Sequence, residues 1–167
     1  MICPRTVVPY YRPGIGKAYA DWLVAELLPR VREVAPISPT RIALAGVSMG
    51  GRVGLEVMAA RSEAFAGFVG LQCDMKRSEA ALHAERLERA VAQNGVRDLY
   101  FVSSTQDPYL EAHLLLAGEL ERRGLEHGLR VTTGNHTSAW VRSTGAIEAL
   151  LRADRVVNHG AVALEAR

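Results

Sequence analysis

Cysteine is scarce in this chain: among 167 residues only Cys3 and Cys73 carry thiols, which is no disulfide framework. Cys73 lies in an apolar run and reads as a small buried hydrophobe rather than a reactive thiol. Cysteines and histidines do not cluster at zinc spacings, so no metal site is expected, and nothing in the sequence calls for a cofactor. An excess of one charge is also missing, since 20 Lys and Arg stand against 18 Asp and Glu for a net charge of +2. That argues against nucleic acid or an anionic membrane as partner. The arginines are spread along helical segments without interleaved aromatics, as on solvated helix faces. No apolar run approaches the roughly 20 residues that span a bilayer. Met1-Ile2-Cys3-Pro4-Arg5 has no apolar signal region. These absences lead to the expectation of a cytoplasmic protein.

What is present is an ordinary globular composition, 49% apolar and 23% charged, in a chain of single-domain length. Strand and helix patterns alternate. Thr6-Val7-Val8 is a short strand candidate between Pro4 and Pro9, followed by a loop with Pro13-Gly14 as its turn signal. Residues 17–34 repeat Tyr19, Leu23, Leu27 and Val31 on one helical face. Strands are expected at 41–45, 66–72, 99–102 and 129–132, the first nearly all apolar as if buried on both faces. Helices are expected at 51–61, 78–93, 109–123 and 137–153, with an irregular tail from Asp154 to Arg167. The helix at 78–93 reads as a sheet-covering helix, with a small lid as the alternative. The pattern implies one α/β domain over 1–153, with a parallel sheet sandwiched between helices in three layers.

The sequence Gly46-Val47-Ser48-Met49-Gly50-Gly51 sits at the junction of an apolar strand and a helix. Gly-x-Ser-x-Gly there is the layout of a nucleophile elbow, a sharp turn that exposes a serine Oγ. Strand and helix backbones pass close enough that Gly46 and Gly50 are expected to have no room for a Cβ, with Gly51 as a further elbow residue. Ser48 is expected in a strained conformation. The Met49 N–H, at the helix start, is the candidate oxyanion donor.

A serine hydroxyl needs a base, and the base an orienting acid. Functional groups of open parallel sheets lie in the loops at the carboxyl ends of strands. Asp107 follows the third expected strand and His136 the fourth, in the order Ser, Asp, His. Asp107 is also placed to cap the next helix, ahead of Pro108. His83 and His113 fall within helices, His127 in a helix-end loop and His159 in the tail, so none of the other histidines competes with His136. Asp74 is a rival acid. Trp140, Tyr109 and Tyr10 are candidate pocket walls. Trp140 has a second reading as core, at the start of an apolar helix face with Ile147 and Leu151.

With these residues in place, the chain resembles the α/β-hydrolase superfamily, in the branch of esterase D, feruloyl esterases and related acyl hydrolases. The resemblance is carried by Gly46-Val47-Ser48-Met49-Gly50-Gly51, Phe65-Ala66-Gly67-Phe68-Val69, Thr105-Gln106-Asp107 and Gly134-Asn135-His136, with Trp140 beyond. It implies a reduced α/β-hydrolase fold with a mostly parallel sheet of about five strands. It also implies a serine esterase acting on a small-molecule ester through an acyl-enzyme. Members usually have three strands and a loop ahead of the region where this chain begins, and that loop supplies a second oxyanion donor. Three consequences are expected: a sheet closed up to about five strands, a fragment of a longer protein, or a homo-oligomer formed through the exposed sheet edge. Loop 9–16, with Gly14 and Gly16, is a candidate replacement donor. Alternative functions are a weakly active or non-catalytic hydrolase-like binding or assembly module, and an acyltransferase using the same triad.

Overall fold

A computed structural model describes residues 15–95 and 97–159. Helix α1 covers Ile15–Trp22 and continues through a π-helical turn, Leu23–Leu27, into Leu28–Val34. Then follow β1 (Ala43–Val47), α2 (Met49–Arg61), β2 (Gly67–Leu71), α3 (Ala80–Asn94), β3 (Asp98–Gln106), α4 (Leu110–Arg122) and β4 (Gly128–Asn135). A short turn at Ser138–Trp140 and a π-helical turn at Val141–Gly145 lead into α5, Ala146–His159. The four strands pair in the order β1-β2-β3-β4, all parallel. Parallel pairing through helical crossovers puts every strand's carboxyl end along one rim of the sheet.

Side chains of a strand alternate between faces, and both faces are covered. Phe68, Leu99 and Phe101 point to one side, where Leu23 of α1, Leu55 and Met58 of α2, Leu87 of α3, and Leu116 and Leu120 of α4 join them in one buried cluster. The Phe68 and Phe101 rings meet edge to face at 6.0 Å. Val69, Leu71 and Val102 point to the other side, against Trp140. This is the expected three-layer sandwich. The third helix, expected as cover or lid, has its buried face in the first cluster.

The sheet has four strands among the described residues, close to the five expected; the candidate at Thr6–Val8 lies outside them, as do Cys3, Tyr10 and Gly14. Some expectations need correction. The strand buried on both faces is β2, all of whose residues are buried, whereas β1 is half exposed. Among the described residues β1 has a single sheet neighbour. The last helix also continues past Ala153 to His159. It is anchored there by fully buried Val156 and by Arg152, whose guanidinium meets the Asp98 carboxylate at 2.9 and 2.7 Å and lies 4.8 Å over the Tyr100 ring. Ile147 and Leu151 are exposed and do not extend the Trp140 face. The π-helical turn between them adds a residue per turn and rotates the register, so the sheet-facing stripe runs through Gly145, Arg152 and Val156 instead. No helix among the described residues is long and apolar enough to cross a membrane.

Two stability predictions follow from buried polar groups. His83 on α3 is buried, and burial lowers its pKa to about 4. A histidine kept neutral in the fold contributes full stability above its unfolded pKa of about 6.5 and loses it as pH falls toward 4. Urea unfolding should therefore show stability declining through that window, and His83→Gln should flatten the decline. Removing one member of the Arg152–Asp98 pair strands a buried charge, at a typical cost of about 3–5 kcal/mol. Arg152→Leu should lose stability on that scale, and Asp98→Asn added to it should recover part of the loss.

Candidate active site

The site is assembled on the rim where the strands end. Ser48 joins β1 to α2 with φ 51° and ψ −115°, a region that costs a non-glycine residue about 1–3 kcal/mol. Its backbone is held from both sides: the Ser48 N–H donates to the Leu71 carbonyl at 2.8 Å, and the Ser48 carbonyl accepts from the Asp74 N–H at 3.0 Å. At Gly46 a Cβ would stand 2.3 Å from the Gly50 carbonyl oxygen, and at Gly51 one would stand 2.5 Å from the Cys73 sulfur. Gly50 is a correction: no atom lies within 4 Å of a Cβ built there. The close approach is made by the Gly50 carbonyl, and the vacant Cβ position points away from the strand. Met49 opens α2, so its N–H is among the first-turn donors that have no partner within the helix.

Asp107 and His136 come to the same place. The Asp107 side chain is fully buried. Its Oδ2 accepts the Ser103 hydroxyl at 2.6 Å, and its Oδ1 accepts the Tyr109 N–H at 3.1 Å and faces His136 Nδ1 at 2.9 Å. It thus holds the turn into α4 and the imidazole together. Nδ1 facing a carboxylate carries the proton, which leaves the Nε2 lone pair for the Ser48 hydroxyl, 3.0 Å away. His136 is 27% exposed, and the Tyr109 ring packs edge-on against it at 5.4 Å.

A β-bulge delivers the histidine. Ser104 pairs with Thr132 but Gln106 with Asn135, so β4 carries one extra residue just before His136. Gly134, at φ 140°, takes up the distortion, and a Cβ there would meet the Trp140 ring at 2.5 Å.

The remaining candidates separate. Asp74, the rival acid, hydrogen-bonds the Tyr109 hydroxyl, and its carbonyl accepts from Arg52 at 3.2 Å. Burial, followed by that bond to Asp74, raises the Tyr109 pKa. Tyr109 is half-buried beside the imidazole, where a pocket wall would be. Trp140 is buried, with its indole N–H on the Thr132 hydroxyl at 3.0 Å, so it is core rather than pocket. Gly16 is buried in α1 against Glu56. Glu56 lies about 12 Å along α2 from Ser48, too far for the Gly16 N–H to serve an oxyanion. Burial pushes the Cys73 thiol far up, so it stays protonated. His113, also buried, accepts the Cys73 N–H at Nε2 (3.1 Å), so its Nδ1–H donates to the Tyr109 carbonyl (2.9 Å); burial lowers its pKa. Among the described residues no group of three metal-ligating side chains converges.

Sequence reasoning missed Ser103 and Gln72, and the part that Gly134 plays in the bulge. Gln72 is fully buried at φ 43°; its amide nitrogen donates to Ser104 Oγ at 2.7 Å and to the Asn135 carbonyl at 3.2 Å, while its Oε1 has no partner. The available signal was a lone glutamine ending an apolar strand.

No protein-family model matches the sequence, and no curated protein matches it. Solved structures do. The Staphylococcus aureus fluorophosphonate-binding serine hydrolase F in substrate-bound form matches with a TM-score of 0.69 at 18% identity, over 81% of this chain and 63% of that one. A ferulic acid esterase matches with a TM-score of 0.70 at 16% identity, over 84% and 62%. The S-formylglutathione hydrolase of Staphylococcus aureus matches with a TM-score of 0.66 at 20% identity, over 83% and 65%. The fold is therefore the α/β-hydrolase fold. The chain spans less than two thirds of the length of each of these proteins.

The glycine geometry gives an asymmetric prediction. Gly50→Ala should leave stability unchanged or raise it by roughly 0.5–1 kcal/mol, as a helical Gly→Ala change does. Gly46→Ala forces backbone apart and should cost at least the 1–3 kcal/mol typical of overpacking. Chemical unfolding of the two variants side by side is the check; equal effects would contradict the close approach.

Proposed function

We propose that this protein is a serine hydrolase that cleaves carboxylic esters of small molecules through an acyl-enzyme, with Ser48 as nucleophile, His136 as base and Asp107 as orienting acid. The observation that supports it most is the unbroken hydrogen-bond chain from Ser48 Oγ to His136 Nε2 at 3.0 Å and from His136 Nδ1 to Asp107 Oδ1 at 2.9 Å. The structural neighbours, a fluorophosphonate-binding serine hydrolase, a ferulic acid esterase and an S-formylglutathione hydrolase, support the same class of chemistry.

In this reading Ser48 Oγ attacks the ester carbonyl while His136 Nε2 takes its proton. The Met49 N–H donates to the oxyanion, a contact typically worth about 10²–10³ in turnover. As the tetrahedral intermediate collapses, His136 returns the proton to the leaving alkoxide and the acyl-enzyme remains. Water, deprotonated by the same imidazole, then releases the acid and regenerates Ser48. Asp107 stabilises the imidazolium and fixes its tautomer. The Ser103 hydroxyl and the Tyr109 N–H hold that carboxylate in place.

The test is hydrolysis of p-nitrophenyl acetate and butyrate. Wild-type turnover should disappear in Ser48→Ala. In Asp107→Asn it should fall by about 10³–10⁴, because the amide no longer fixes the Nδ1–H tautomer. A folded wild type no faster than Ser48→Ala would defeat the proposal.

A further inference from the structure

We propose that Gln72 is a positioning residue, whose buried amide sets where His136 stands relative to Ser48 and Asp107. This rests on the reading of those three residues as a catalytic triad. Gln72 and Ser48 are the only non-glycine residues in the left-handed region among those described. They occupy equivalent places: Ser48 directly follows β1, and Gln72 directly follows β2. The Gln72 N–H donates to the Val102 carbonyl at 2.8 Å, so its backbone is tied to β3 much as Ser48 is tied to β2.

The side chain then reaches two further elements. Its Nε2 donates to Ser104 Oγ on β3 and to the carbonyl of Asn135 at the end of β4. The Ser104 carbonyl accepts the Asp107 N–H at 3.0 Å, and Asn135 directly precedes His136. One NH₂ group therefore joins the turn that bears the acid to the peptide that bears the base. A β-bulge immediately before a catalytic residue leaves a ladder locally unpaired, and here the Gln72 amide supplies a bond just past the bulge.

The arrangement is unfavourable on three counts: a buried amide, a left-handed backbone, and an Oε1 without a partner. An apolar side chain of the same length would avoid the first and the last. Local features that oppose stability concentrate where position matters. Methionine is the near-isostere without a donor. Asparagine is shorter by one methylene and cannot span both Ser104 and Asn135.

The experiment compares wild type with Gln72→Met and Ser104→Ala. It measures ester turnover together with the low-field proton resonance of His136 Nδ1–H. Gln72→Met should lower kcat by about 10–100-fold, the scale of an ångström of misplacement, with KM within about threefold. The His136 resonance should shift or broaden while circular dichroism stays native. Ser104→Ala, which keeps the Asn135 bond, should have a smaller effect on both. Wild-type kcat and an unmoved His136 resonance in Gln72→Met would overturn the proposal. If that variant does not fold, the wild type decides: slow exchange of the Gln72 side-chain amide protons supports the bond to Asn135, and fast exchange overturns it. A wild type that hydrolyses no ester defeats the hydrolase reading alone, because the His136 resonance still reports on Gln72.

Discussion

The backbone of Ser48 is held between two groups, the Leu71 carbonyl at the end of β2 and the Asp74 N–H in the loop that follows it. The rest of the site depends on that grip. A serine at φ 51° is not a conformation the chain adopts locally. It persists because the end of β2 and the loop just after it hold its N–H and its carbonyl, and because Gly46 lets the Gly50 carbonyl come where a side chain would otherwise stand. With the peptide fixed, α2 must begin at Met49, its first-turn donors face the rim, and the serine hydroxyl points toward the imidazole. The elbow is thus a tertiary structure: its strain is balanced by parallel pairing with β2, which in turn is buried throughout and wedged between β1 and β3.

Burial is graded across the three groups proposed to react. The Asp107 carboxylate is fully enclosed, but the Ser103 hydroxyl, the Tyr109 N–H and the imidazole all direct protons at it. A buried charge is tolerated when hydrogen bonds replace its hydration. The imidazole is half-buried. Behind them a buried histidine is polar without being charged: His113 links the Cys73 peptide to the Tyr109 carbonyl. Because it accepts at one nitrogen and donates at the other, it is held neutral, and burial lowers its pKa further in that direction.

Much of this was legible in the sequence, for reasons that can be stated. The order of helices and strands follows from apolar periodicity, and Ser48, Asp107 and His136 each lie just beyond a strand end, where parallel sheets put loops. Three kinds of feature were not legible. Gly50 looked equivalent to Gly46, yet only backbone geometry tells which glycine sits under a carbonyl. Trp140, Ile147 and Leu151 have helical spacing, but a π-helical turn between them breaks the phase, and no residue pattern announces such a turn. The bulge at Gly134 and the cross-link from Gln72 are set by pairing between elements far apart in sequence. Those features decide where a side chain points rather than which element it is on.

The two left-handed residues, Ser48 and Gln72, follow adjacent strands, and each is held by a carbonyl of the strand beyond: Leu71 of β2 for the first, Val102 of β3 for the second. The same relation is thus repeated one strand further along. In each case the turn that leaves one strand is held by a carbonyl of its neighbour. Ser48 depends on the end of β2, the end of β2 depends on β3, and the acid rises from the end of β3 itself. Strand β4, with its bulge, closes the series by carrying the base back over the serine. Ser48, His136 and Asp107 are thus brought together by these four consecutive strands and the turns that leave them. Their geometry is built by a contiguous stretch of chain, from Gly46 to Trp140, in which the turns after β1 and β2 are each held by the strand beyond.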